Sequence, residues 1–214
     1  LQGQVEELSG VLSAYAALPV TLIGFSWGAW LAFIVTARYP RLVAKLILVG
    51  SAPFQECYVA ALQQTRRERF TAEERREFET LIQALGDVTA EDRDSLLARL
   101  GVLATRADAY DPIGHGMVES DRIGPSADVF HHVWSEAAEL RRSGELLKLG
   151  RQIECPVVAI HGDYDPHPAE GVRKPLSGVL NVFRFVLLES CGHKPWIERQ
   201  ARDSFYRALR EELP

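Results

Sequence analysis

Val20-Thr21-Leu22-Ile23-Gly24-Phe25-Ser26-Trp27-Gly28 sets a serine between two glycines, where a short apolar, β-branched run gives way to a longer one, Ala29 to Ala37. The first run suits a strand, and the second is long enough for a buried helix. A G-x-S-x-G turn in this setting lifts the serine hydroxyl above a sheet and beside a helix N-terminus, the glycines relieving side-chain collisions. Ser26 is therefore a candidate nucleophile. As a plain helix cap it would leave both glycines without a purpose.

Outward from this turn, three more strand-like runs appear: Lys45 to Val49, Val157 to Ile160 and Val182 to Leu188. The first three of the four are almost continuously hydrophobic, as parallel strands covered on both faces are. Helical patterns lie between and after them, at 28–38, about 168–179 and 195–212, and Val5, Leu8, Leu12, Tyr15 and Leu18 put another helix in the first 18 residues. This alternation predicts an α/β fold with a mostly parallel sheet flanked by helices.

Residues 54–150 contain no convincing strand and are expected to form an all-helical lid or cap, set between core segments 1–53 and 151–214. Thr71-Ala72-Glu73-Glu74 is a capping box, Gly86 is placed to end its helix, and Thr89 with Asp92 resembles a second start. Ser126 is expected to cap a third helix with Val129, Phe130, Val133, Trp134 and Ala137 on one face. Asp111-Pro112-Ile113-Gly114-His115-Gly116 reads as a link between lid helices. Insertions in parallel sheets rise above the strand ends, where such folds bind ligands. Phe130 and Trp134 are thus both core residues and candidate substrate contacts.

Hydrophobic residues make up 47% of the 214 and charged residues 25%, the balance of a folded soluble protein, and no apolar run nears the roughly 20 residues a membrane span needs. The net charge of −5 leaves no electrostatic footprint for nucleic acid, since Arg66-Arg67, Arg75-Arg76 and Arg141-Arg142 alternate with glutamates as solvated helix faces do. Cys57, Cys155 and Cys191 have neither disulfide-framework nor metal spacing, which points to a reducing, cytoplasmic compartment.

A serine hydroxyl attacks poorly unaided, so Ser26 needs a base. Of the six histidines, only His193 follows the last predicted strand in a turn, Glu189-Ser190-Cys191-Gly192-His193-Lys194-Pro195-Trp196. His167 is its rival; His161 ends a strand and belongs to the sheet's packing, one of His131 and His132 must point away from the core, and His115 lies in the link. An acid must hold the base's tautomer. The strand from Val157 ends in His161-Gly162-Asp163-Tyr164-Asp165, in which Asp165 is the preferred acid and Asp163 makes a turn-stabilising bond to backbone.

With its elbow G-F-S-W-G, its acidic turn H-G-D-Y-D and its terminal C-G-H-K-P-W-I-E, the chain resembles the α/β-hydrolase superfamily. The likeness covers about residues 15–53 and 151–213, and the order Ser26, Asp165, His193 is that family's triad order. The tryptophan after the serine and the Pro-Trp after the histidine are similar to lidded members related to proline iminopeptidases and other small-molecule hydrolases. The resemblance implies acyl transfer on a small-molecule ester, thioester or amide, with the Trp27 amide as an oxyanion donor and no metal or organic cofactor. Phe25 and Trp196, beside Ser26 and His193, join Phe130 and Trp134 as expected substrate contacts.

Members of that superfamily carry several strands before the elbow and draw a second oxyanion donor from one of their loops. The first 18 residues here match only the helix before the elbow strand, so the fold is expected to be N-terminally incomplete. Val20 to Gly24 then forms an apolar sheet edge, which an upstream segment or a second copy of the chain is expected to cover. The alternative function is a catalytically incomplete binding or interaction protein on the same fold.

Overall fold

The structure, a computed structural model, describes residues 1–87, 92–114 and 126–213. Its centre is a parallel sheet of four strands in sequence order: β1 (Val20–Phe25), β2 (Val43–Val49), β3 (Val157–Gly162) and β4 (Phe183–Leu188). Phe25 pairs with Val49, Val49 with Ile160 and Gly162 with Leu188, so the C-terminal strand ends lie level along one rim. Every functional turn predicted from the sequence leaves from that rim.

Strand side chains alternate between faces, and two cores result. Leu46, Leu48, Val157 and Ala159 face α1 (Gln2–Tyr15), α2 (Trp27–Arg38) and α8 (Glu170–Ser177), where Val5, Trp30, Phe33, Ile34, Val172 and Leu176 are buried. Ile47, Val49, Val158 and Ile160 face the other way, onto Ala201, Phe205 and Ala208 of α9 (Arg202–Glu212) and the turn before it. Both faces of the central strands are therefore covered, which is why their sequences are continuously apolar. Among the described residues β1 pairs only with β2 and is a sheet edge, with Ile23 at 45% exposure.

Between β2 and β3 run α3 (Val59–Arg69), α4 (Ala72–Gly86), α5 (Arg93–Asp108), α6 (Ala127–Arg142) and α7 (Glu145–Lys148). The predicted capping box starts α4, its Thr71 hydroxyl accepting from the Glu74 amide and the Glu74 carboxylate accepting from the Thr71 amide. Phe70, Leu81, Leu103 and Ala107 give α3–α5 a small core of their own, while Ala137 of α6 and Leu146 of α7 join the main one. Thr89, His115 and Gly116 lie outside the described residues. No helix among the described residues is long and apolar enough to cross a membrane.

Two local expectations differ from the structure. The helix expected over 195–212 is broken: Pro195–Ile197 makes one 3₁₀ turn, and α9 starts only at Arg202, because Glu198 is drawn inward by backbone amides described below. On α6, Ala127, Val133 and Ala137 are buried but Val129 and Phe130 are half exposed, since they lie on the flank of the stripe, where Phe130 stacks on the Trp134 ring. His131 and His132 are both exposed.

Candidate active site

Ser26 stands at the junction of β1 and α2 with φ +53° and ψ −118°, a conformation costly for a non-glycine residue and typical of functional turns. Its amide donates to the Val49 carbonyl at 3.0 Å, tying the turn to β2. It occupies the N-cap position, yet its side chain makes no capping bond. The two flanking glycines are not equivalent. A β-carbon on Gly24 would overlap the Gly28 carbonyl, whereas one on Gly28 would meet open space. Crowding explains the first glycine and not the second.

The Ser26 hydroxyl is bound instead to His193, whose Nε2 lies 3.0 Å from Oγ; the Nδ1 of His193 lies 2.7 Å from Oδ2 of Asp165. Both are within hydrogen-bond reach. His193 is nearly buried and the Asp165 side chain wholly so. Asp163, the alternative acid, accepts from the Cys191 amide at 3.1 Å and so fastens the acidic turn to the histidine loop. His161 meets the His167 carbonyl through Nε2 at 2.8 Å. His167, the rival base, is turned onto Asp165: its Nδ1 is 2.6 Å from Oδ1, and its amide donates to the same oxygen at 2.9 Å.

The expected substrate contacts fall into two groups. Phe25 packs against His193 and Trp196 with ring centroids 4.8 and 4.6 Å apart, and Trp196 continues onto Phe205, so this group supports the imidazole from below. On the other side, Trp134 meets Trp27 edge-on at 6.2 Å and stacks between Trp30 and Phe130. Trp27, Trp134 and Phe130 thus form an aromatic row leading from the serine toward solvent.

Glu198 is a site residue that sequence reasoning misses. Fully buried, its carboxylate accepts from the amides of Gly192, Tyr110 and Asp111 at 3.0, 2.9 and 2.7 Å. The His193 amide donates to the Asp108 carbonyl at 2.9 Å, and Ile113 donates to Ile197 at 2.7 Å. Asp108 is in turn held by Arg66 of α3 through both carboxylate oxygens. The histidine loop is consequently sewn to the end of α5 and the link after it. Gly192 must be glycine here, because a β-carbon would overlap the Asp108 carbonyl and the Glu198 carboxylate.

Ligand atoms of Asp165, His167 and His193 lie within 4.8 Å of one another. Two donors on one tetrahedral zinc, each about 2.1 Å away, sit about 3.4 Å apart. The 2.6 and 2.7 Å contacts seen here are those of shared protons, so the cluster does not fit a metal.

Burial pushes the Asp165 carboxyl up, but the neighbouring imidazoles of His193, His167 and His161 outweigh it and hold the group well below the usual carboxylate range. Burial likewise keeps His167 below the ordinary imidazole value, against the pull of Asp165. In both cases the unfolded chain binds the proton first as pH falls, so acid destabilises the fold. The His167 contribution is lost below the ordinary imidazole value of about 6.5, and that of Asp165 only below about 4. The urea midpoint is expected to fall between pH 7 and pH 5, and to fall less in His167→Asn. Equal slopes for the two proteins would contradict this.

Residues 11–200 match the sequence profile of the alpha/beta hydrolase fold family, and the chain belongs to that family. Solved structures agree on the fold. VinJ aligns with TM-score 0.61 at 18% identity over 97% of this chain and 70% of its own; the monoacylglycerol lipase of Paleococcus ferrophilus with 0.58 at 14% over 98% and 73%; and the proline iminopeptidase of Mycobacterium smegmatis with 0.54 at 17% over 96% and 68%. The chain spans about two thirds of the length of such neighbours. No curated protein matches it.

Proposed function

We propose that the chain carries the catalytic centre of a serine hydrolase that cleaves a small ester, thioester or amide through an acyl-enzyme on Ser26. The observation that carries this reading is the unbroken row Ser26 Oγ, His193, Asp165, with contacts of 3.0 and 2.7 Å, beginning at a serine held with positive φ. Asp165 keeps the His193 proton on Nδ1, so Nε2 faces the hydroxyl as an acceptor. As Ser26 attacks the carbonyl, its proton passes to Nε2 and then to the leaving group. Water repeats the cycle to release the acyl group.

Negative charge on the substrate oxygen would be met by the amide of Trp27, the first residue of α2, where helical amides lack intrahelical partners and the dipole favours an anion. Of the expected contacts, Trp134 and Phe130 are the ones suited to receive an apolar substrate group, beneath helices acting as a lid. A fluorophosphonate probe tests the reading directly, because it labels only an activated serine. The wild-type protein should be labelled and Ser26→Ala should not. Equal labelling of the two, or none of the wild type, overturns the proposal.

A further inference from the structure

We propose that His167 is a positioning residue of this site, one of two imidazoles that share the Asp165 carboxylate, and that its donation tempers the hold of Asp165 on His193. This role rests on the acyl-transfer reading above.

The Asp165 side chain has no solvent contact, and its two oxygens are divided between two histidines. Oδ2 takes Nδ1 of His193 at 2.7 Å, while Oδ1 takes Nδ1 of His167 at 2.6 Å together with the His167 amide at 2.9 Å. An ionised carboxylate only accepts, so each ring must carry its proton on Nδ1, and both tautomers are fixed by one group. The 2.6 Å contact has the length of a charge-assisted bond rather than of packing. His161 holds the His167 carbonyl at 2.8 Å, and the His167 and His193 rings lie 4.6 Å apart, tilted by 30°.

The other charged groups nearby are committed elsewhere. Arg66 of α3 feels the Asp165 charge but is paired with Asp108 of α5, and the carboxylates of Asp163 and Glu198 are turned onto backbone amides. Lys194 follows His193 in its loop and is partly exposed. His161 also comes within 3.7 Å of Oδ2, but its Nε2 is spent on the His167 carbonyl at 2.8 Å, so His167 is the side chain that competes with His193 for Asp165 by a hydrogen bond. A donor on Oδ1 spreads the negative charge that would stabilise a His193 imidazolium, so Asp165 holds that imidazolium less firmly than an unshared carboxylate would. Burial keeps His167 itself uncharged, so it acts as a fixed dipole and not as a second cation.

The test is histidine titration by nitrogen-15 NMR in the substrate-free protein, for wild type, His167→Asn and His167→Phe. Asparagine sets an amide N–H where Nδ1 lies; phenylalanine removes the donor. Wild type should show two low-field imidazole N–H resonances. The His193 midpoint should stay within a few tenths of a pH unit in His167→Asn and rise by about half a unit or more in His167→Phe, with the acid limb of kcat/KM following it. A single low-field resonance in wild type, or one midpoint common to all three proteins, overturns the proposal. Should His167→Phe not fold, the resonance count and the His167→Asn midpoint decide. Shared titration without ester turnover would sink the hydrolase reading alone, and turnover with unshared titration would sink this one alone.

Discussion

Alanine in place of His193 is expected to lower ester turnover by at least about 1000-fold, equivalent to about 4 kcal/mol of transition-state stabilisation. The imidazole acts twice in the proposed cycle, taking the Ser26 proton during attack and returning it to the leaving group. Without it, water must do both. What survives is substrate binding and the oxyanion contact, which alone still speed such reactions. The loss should fall on kcat rather than KM, because the hydroxyl and the 3.0 Å contact from Nε2 matter after the substrate is bound. A residual rate within tenfold of wild type would place the base elsewhere, and His167, already on Asp165, would be the first residue to change next.

The second large effect is expected at a residue that never meets substrate. Glu198→Ala would leave the buried Gly192 amide without a partner and turn the half-open Tyr110 and Asp111 amides over to water. A buried amide without a partner costs about 1–3 kcal/mol and a bond that water can replace about 0.5–1 kcal/mol, so a total of about 2–4 kcal/mol is expected. Stability of the whole fold is commonly about 5–15 kcal/mol, and the change is correspondingly severe. Urea unfolding measures it. Glu198→Gln keeps an acceptor oxygen and should lose clearly less. A Glu198→Ala protein within about 1 kcal/mol of wild type would show that these three bonds contribute little beyond what water supplies.

The contrast between these two residues explains what the sequence can and cannot reveal. His193 and Asp165 are readable because each follows an apolar strand in a turn, and strand ends of a parallel sheet share one rim. The α/β fold is readable for the same reason, from runs whose continuous hydrophobicity reflects cover on both faces. Glu198 is not readable: it lies in a segment whose periodicity continues into α9, and its partners at Tyr110 and Asp111 are 88 and 87 residues away. His167 presents the opposite difficulty. Its residue type marks it as a rival base, and only the division of the two Asp165 oxygens gives it another part. On α6, spacing finds the apolar stripe but not how far around the helix the core beneath it reaches, which leaves Phe130 half exposed.

The seam between the histidine loop and residues 108–113 bears on how such proteins diversify. An insertion between two strands is usually regarded as a cassette, exchangeable without disturbing the chemistry beneath. Here the outgoing cassette would take with it the Asp108 carbonyl that accepts from the His193 amide and the two amides that donate to Glu198. On the proposed reading, substrate choice and base placement are inherited together, and a graft that keeps His193 in place must leave residues 108–113 behind with the recipient.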